Sequence, residues 1–268
     1  MGEPFDLRVV PIDAVVPHEE ADPHRVERLV GRLEADGRLA NPPVVAAVGD
    51  HFVLLDGATR MAALQELGFD HAIVQVAVPE RLRLETWCHV ILDIDPDRLL
   101  RVLDGVADAR LEENGDLRPA EHGDHTMCAL WLVDGRRFVV HPTGGRHPFA
   151  ALNPLVAAYL GASVIARTTD VVLASAIADQ PDAAALVVFP RLALQTVFAA
   201  ARDGHRLPAG ITRFVVGDRV LALNAPLAPL RSDRTLADHN LWLHDLVAAR
   251  RARGHIRHYP EAVYVLDD

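Results

Sequence analysis

Along the first 78 residues the apolar positions fall in short blocks whose spacing alternates between every second residue and the helical repeat. Val9–Val10 and Val15–Val16 are β-branched pairs closed by Pro11 and Pro17, predicting a strand and then a loop that ends at His18, Glu19 and Glu20. In "DPHRVERLVGRLEADG" Val26, Leu29, Val30 and Leu33 recur at i, i+3, i+4 and i+7, with Asp22 placed to cap, Pro23 in the first turn and Gly37 as the stop. "PPVVAAVGDHFVLLDG" holds two apolar runs about Gly49–Asp50, the order of a tight hairpin. From Ala58 the helical repeat returns with Met61, Leu64 and Leu67 and stops at Gly68, so a strand feeds a helix directly through Gly57. "AIVQVAV" is a further strand.

Past residue 90 the same reading predicts a helix in "PDRLLRVLDGV", a hairpin about Asp134–Gly135, and a helix followed by a strand in "LNPLVAAYLGASV". "AALVVFP", "RLALQTVFAAARDG", "ITRFVVGDRVLALNAPL" and "TLADHNLWLHDLVAARRARG" read as strand, helix, hairpin and helix. The pattern is that of a mixed α/β (α+β) protein. "ILDIDPDR" resets it, which sets expected domains at residues 1–92 and 93–268.

With 268 residues, half of them hydrophobic, the chain can bury a full core. It has no run of 18 apolar residues, and "MGEPFDLRVV" lacks the basic-then-apolar order of a signal peptide, so a cytoplasmic protein without a membrane span is expected. Cys88 and Cys128 are too few for a disulfide scaffold. All 27 Lys+Arg residues are arginine, yet the net charge is −10, which argues against a broad nucleic-acid footprint while leaving room for a small anion at a local site.

Such a local site is suggested by "VLLDGATRMAALQELG". The first N–H groups of a helix have no partner within it, and after a glycine turn they can point at an anion, with Thr59 and Arg60 adding a hydroxyl and a guanidinium. Equally, Asp56 and Thr59 can cap the helix while Arg60 pairs with Glu66 or Asp70. The stretch is neither a Walker A loop nor a G-x-G-x-x-G turn.

"PHEEADPHRVERLVGRLEADGRLANPPVVA" followed by "VLLDGATRMAALQELGFDHAIVQV" resembles the ParB/sulfiredoxin superfamily, and within it the free L-serine kinases. "LPAGITRFVV", "LNAPL" and "GHIRHYPEAVYVLDD" extend the likeness over most of the chain. Two other branches of the superfamily match less well: Ala58 stands where sulfiredoxin chemistry needs a cysteine, and "GATR" where partition proteins have G-E-R-R.

The resemblance implies a ParB/sulfiredoxin-like phosphate-binding domain completed by a second α/β domain. It also implies an enzyme that transfers a phosphoryl group from ATP or ADP, with Mg²⁺, to the hydroxyl of L-serine. Glu19 of the His18-Glu19 pair would take the hydroxyl proton, with Glu20 as the adjacent alternative. Asp56, the second catalytic candidate, could orient a metal-bound phosphate or a nucleophile, and with Gly57, Ala58, Thr59 and Arg60 it would hold the transferred phosphate; many relatives carry histidine where Ala58 and Thr59 stand. Trp87 would wall the serine pocket, with His89, Thr212 and Arg213 as further substrate-binding candidates. From the residues alone, Glu19 and Glu20 also suit a helix amino terminus, Trp87 a core, and Arg213 a strand-edge surface. No dedicated metal cage is visible in the sequence, as suits a Mg²⁺ that keeps its waters and one or two carboxylates. The alternatives are a nucleotide-sensing ParB-like binding protein and a kinase for another hydroxy amino acid.

Three clusters stand outside this scheme. His122, His125 and Cys128 have metal-like spacing without an evident fourth ligand, "HPTGGRHP" pairs His141 and His147 about a double glycine, and "RHYPE" can close the site.

Overall fold

Gly49 adopts a φ of 59° and turns Val44–Val48 back onto His51–Asp56, forming the hairpin that the two apolar runs predict. Around it the computed structural model, which describes residues 5–114, 126–143 and 147–259, builds a five-stranded sheet. His71–Val76 lies parallel to Val44–Val48 and antiparallel to Asp6–Pro11, while Val15–Pro17 lies parallel to His51–Asp56 at the other edge. Side chains of the two hairpin strands alternate between the faces of this sheet. Val45 and Leu54 enter one core, and Val44, Ala46, Val53 and Leu55 enter another.

Helix α1, Pro23–Asp36, begins where the Asp22 carboxylate accepts from the N–H groups of His24 and Arg25, and ends at Gly37 with a φ of 60°. Helix α2, Ala58–Glu66, leaves its strand through Gly57, whose φ is 99°. Val26 and Leu33 of α1 and Met61 and Leu64 of α2 pack into the first core.

The second sheet has six strands, all antiparallel, in the order Val164–Thr168, Cys88–Leu92, Ala183–Val188, Cys128–Leu132, Arg137–Pro142 and Ala109–Glu113. Helices Pro96–Asp104, Pro148–Leu160 and Leu194–Arg202 cover one face with Leu99, Leu103, Leu155 and Val197. Each leucine buried this fully contributes roughly 2 kcal/mol. The same core takes Val44, Ala46, Val53 and Leu55 from the first sheet, so both sheets pack on shared apolar ground.

Packing crosses the expected boundary at residues 92 and 93. Cys88–Leu92 is an inner strand of the second sheet. The helix Leu236–Ala252 returns to the first sheet, where the Asn240 side-chain amide exchanges two 2.9 Å hydrogen bonds with the backbone of Val9. The predicted hairpin in "ITRFVVGDRVLALNAPL" does not form. Thr212–Val216 instead pairs with Leu82–Thr86, and Ala225–Pro226 with Arg38–Leu39. Asp218 at the presumed turn has its carboxylate bound by Arg81 and its carbonyl by Gln75, which hold the two halves apart.

Among the described residues no helix is long and apolar enough to cross a membrane. His122 and His125, Gly144 and Gly145, and Pro260 and Glu261 of the sequence clusters lie outside those residues.

Candidate functional site

Where Val15–Pro17 ends, His18 turns into the core with 2% of its surface exposed. Its Nδ1 faces the carbonyl oxygen of Leu54, which only accepts, so Nδ1 carries the proton and Nε2 must accept. The donor to Nε2 is the Thr212 hydroxyl, 2.7 Å away, and Phe214 stands edge-on with its ring centre 5.0 Å from the imidazole. Burial lowers the imidazole pKa from 6.5 to about 4, so the ring is neutral at physiological pH.

The backbone of the next residues is clamped by Leu207, whose N–H donates to His18 O and whose carbonyl accepts from Glu20 N–H, both at 2.9 Å. Between these bonds Glu19 projects into a cavity, and its Oε2 accepts from the Gly210 N–H at 3.1 Å. Burial raises the Glu19 carboxyl from 4.5 to about 7; the Gly210 hydrogen bond and the positive charge of Arg167 moderate the rise, and the charge of Asp56 adds to it. A carboxyl in that range is suited to accept a proton near neutral pH.

Gly210 has a φ of 82° and is fixed from behind. Its carbonyl accepts from His89 Nε2 at 3.1 Å, which leaves His89 Nδ1 to accept from the Tyr159 hydroxyl at 2.6 Å. Burial brings His89 down to about 4, so it too is a neutral ring.

At the end of His51–Asp56 the chain turns through Gly57 into α2, and no side chain caps that helix. The capping alternative for Asp56 and Thr59 is therefore not what forms. Asp56 Oδ2 accepts instead from Arg60, at 2.5 Å, and from Arg219. Arg60 also donates to the carbonyls of Asn41 and Pro42, at 3.2 and 3.4 Å, so its partner is Asp56 and neither Glu66 nor Asp70. Committed in this way, the Arg60 guanidinium braces the turn, and the uncapped N–H groups of α2 are left to meet an anion.

One cavity of about 790 Å³ gathers these groups. Glu19, Asp56, Gly57, Ala58, Thr59, Arg60, Trp87 and Thr212 of the sequence candidates line it, together with Glu20, the alternative base. Two candidates fall elsewhere. His89 is fully buried against Tyr159, Phe189 and the Gly210 carbonyl, so it positions Gly210 and does not line the cavity. Arg213 points opposite to Thr212 on the same strand, where it pairs with Glu85 and stacks 5.2 Å from the centre of the Trp87 ring. It braces the Trp87 wall from behind. Of the remaining clusters, Cys128 is buried in a strand, and no metal-ligating group of three or more forms among the described residues.

The cavity also contains residues that the sequence reading passed over. Arg25, Arg28 and Arg32 recur at i, i+3 and i+7 on the cavity face of α1, a spacing that was visible in the sequence. Arg167 on Val164–Thr168 has no such signal and reaches the site only through the pairing of its strand with Cys88–Leu92.

No protein-family model matches the chain. The chain is 27% identical over 263 residues, 97% of each chain, to the ATP-dependent L-serine kinase SbnI of Staphylococcus aureus. It is 31% identical over 88 residues, 31% of this chain and 35% of the relative, to the ATP-dependent L-serine kinase of Staphylothermus marinus. Among solved structures, SbnI with a C-terminal truncation superposes with a TM-score of 0.73 at 24% identity, covering 91% of this chain and 97% of that one. A free serine kinase in complex with AMP gives a TM-score of 0.73 at 17% identity, over 85% and 95% of the two chains. The chain therefore resembles one ATP-dependent L-serine kinase in sequence along nearly its whole length and a second over about a third of it, and it shares the mixed α/β fold of the solved structures.

Proposed function

We propose that the protein is a small-molecule kinase that phosphorylates free L-serine to O-phospho-L-serine with ATP. The observation that carries this reading is Glu19, a desolvated carboxylate aimed by Gly210 into the same cavity as the open amino terminus of α2 and the Trp87 wall. Two relatives named as ATP-dependent L-serine kinases support the choice of donor and acceptor.

Glu19 takes the proton of the serine hydroxyl as its oxygen bonds to the γ-phosphorus, the bond from that phosphorus to the bridging oxygen breaks, and ADP leaves. The N–H groups at the start of α2 and the arginine face of α1 stabilise the phosphate charge. Trp87 covers one side of the acceptor, and the Thr212 hydroxyl stands between His18 and Glu19 at the cavity wall. Asp56 orients the turn through its two arginines.

Mg²⁺ fits this cavity as the companion of a nucleotide. Asp56 Oδ1 and Glu20 Oε1 have no donor among the described residues, and one or two such carboxylate oxygens suffice beside phosphate and water ligands. Bound there, the ion would neutralise phosphate charge.

The test is to incubate the purified protein with L-serine, Mg²⁺ and ATP or ADP and to assay phosphoserine by mass spectrometry. Product with ATP is expected, and no product with either nucleotide would overturn the assignment.

A further inference from the structure

The hydroxyl oxygen of serine and its carboxylate carbon are separated by only two carbons. Once the hydroxyl sits at Glu19, the group that receives the carboxylate must stand immediately beside that residue. Around the site Arg60 and Arg219 are engaged with Asp56, Arg206 with Glu20 and Arg213 with Glu85, while Arg25, Arg28 and Arg32 line the cavity from α1 and serve the nucleotide phosphates in the reading above. Arg167 differs. It has no hydrogen bond or ion pair to a described residue, it lines the cavity with Glu19, Trp87 and Thr212, and its charge is felt by Glu19. Its guanidinium lies against Gly210, where a Cβ would come within 2.1 Å of Nη2. The glycine that aims the base therefore also makes room for the arginine.

With the α1 arginines taken by phosphate, the other groups around Gly210 do not compete for an acceptor carboxylate. Glu19 would repel it, Thr212 and Trp87 are neutral, and His89 behind Gly210 is an uncharged donor already used. A guanidinium presents two parallel N–H groups that match a carboxylate, which a hydroxyl or an amide cannot replace.

We propose that Arg167 receives the α-carboxylate of the acceptor, so that the site selects hydroxy acids with a free carboxylate and rejects their amides and decarboxylated analogues. This rests on the serine-kinase reading above.

The experiment compares L-serine, L-serinamide and ethanolamine as acceptors at saturating ATP, in the wild type and in Arg167→Met and Arg167→Lys. In the wild type kcat/KM for L-serine should exceed that for serinamide by at least about 100-fold. In Arg167→Met the KM for L-serine should rise by about 10- to 100-fold, the range of a lost charge-assisted hydrogen bond, and the preference for serine over serinamide should collapse. Arg167→Lys, which keeps the charge without the fork, should fall between. Equal losses of kcat for serine and serinamide would place Arg167 on the transferring phosphate and overturn the proposal, as would unchanged selectivity in both variants. If the wild type turns over none of the three, the functional reading fails. Calorimetric binding of L-serine against L-serinamide to the wild type and Arg167→Lys then decides the carboxylate site by itself, with preference for serine in the wild type supporting it and equal binding overturning it.

Discussion

Replacing Glu19 by glutamine acts on activity and on stability with opposite sign. The residue is a carboxyl whose pKa burial raises from 4.5 to about 7 in the folded protein. Below pH 4.5 it is protonated in both states and costs nothing. Between pH 4.5 and 7 the unfolded chain ionises while the folded protein holds its proton, so stability is lost as pH rises, and above pH 7 the loss is complete. At about 1.4 kcal/mol per pKa step, the loss amounts to about 3 kcal/mol. The side chain is only 19% exposed, so solvent screening reduces this little. Glutamine keeps an oxygen to accept from Gly210 N–H and carries no charge. Glu19→Gln should therefore match the wild type in stability near pH 4.5 and exceed it at pH 8 by about 2–3 kcal/mol, or roughly 5–10 °C in Tm. Its turnover of serine should fall at least about 100-fold, the lower range for a lost general base. The wild-type kcat/KM should rise with pH through an inflection near 7. The assays are urea and thermal denaturation at the two pH values and a kcat/KM profile from pH 5.5 to 9. A variant no more stable than the wild type at pH 8, or a flat profile across pH 6 to 8, would refute the reasoning.

The buried imidazoles of His18 and His89, lowered from 6.5 to about 4, contribute stability that is fully present above pH 6.5 and lost as pH falls towards 4, so urea midpoints should drop steeply across that window. In Thr212→Val the shape is kept but His18 Nε2 loses its donor, which should cost about 1–3 kcal/mol in denaturation and reduce turnover. Gly57→Ala forces an L side chain onto a φ of 99° with its Cβ 2.9 Å from Arg60 Nε and 3.1 Å from Pro43 Cα. Strain of about 1–3 kcal/mol should appear as a lower Tm, with a loss of nucleotide affinity measured by calorimetry.

Elements made by local contacts were legible in the sequence. Asp22, Pro23 and Gly37 bounded α1 because capping and φ preferences act within a few residues. Gly57 marked the passage from strand to helix for the same reason. The strands Leu82–Thr86 and Ala109–Glu113 were not recognised, since "LRLET" and "ARLEE" are charged edge segments whose pairing depends on distant partners. The "GDRVLALN" hairpin was overcalled because a Gly-Asp turn signal says nothing of an earlier strand that competes for the pairing. In the candidate site, Glu19 and the Asp56–Arg60 turn stood out as candidates because each lies in a contiguous motif, and the structure brings them to one cavity. His89 and Arg213, expected as substrate-binding candidates, lie outside the cavity lining, since period-two spacing gives a face without saying whether a helix, a loop or the cavity lies over it.

One physical cause, loss of water, sets the protonation of the groups that surround the reacting position. It penalises the charged form of a base and of an acid alike, so it holds His18 and His89 neutral and leaves Glu19 able to gain or lose a proton near pH 7. Because both imidazoles are neutral, each has one donor and one acceptor nitrogen, and each is fixed by a carbonyl on one side and a hydroxyl on the other. Protonating either ring would turn its acceptor nitrogen towards a hydroxyl as a second donor, and Thr212 or Tyr159 would have to rotate its hydrogen away. The rings thus transmit position without carrying charge: His18 holds Thr212, and His89 holds Gly210, which aims Glu19. In the His18-Glu19 pair the proposed chemistry falls to the glutamate, and the histidine supplies the frame that keeps Thr212 in place beside it.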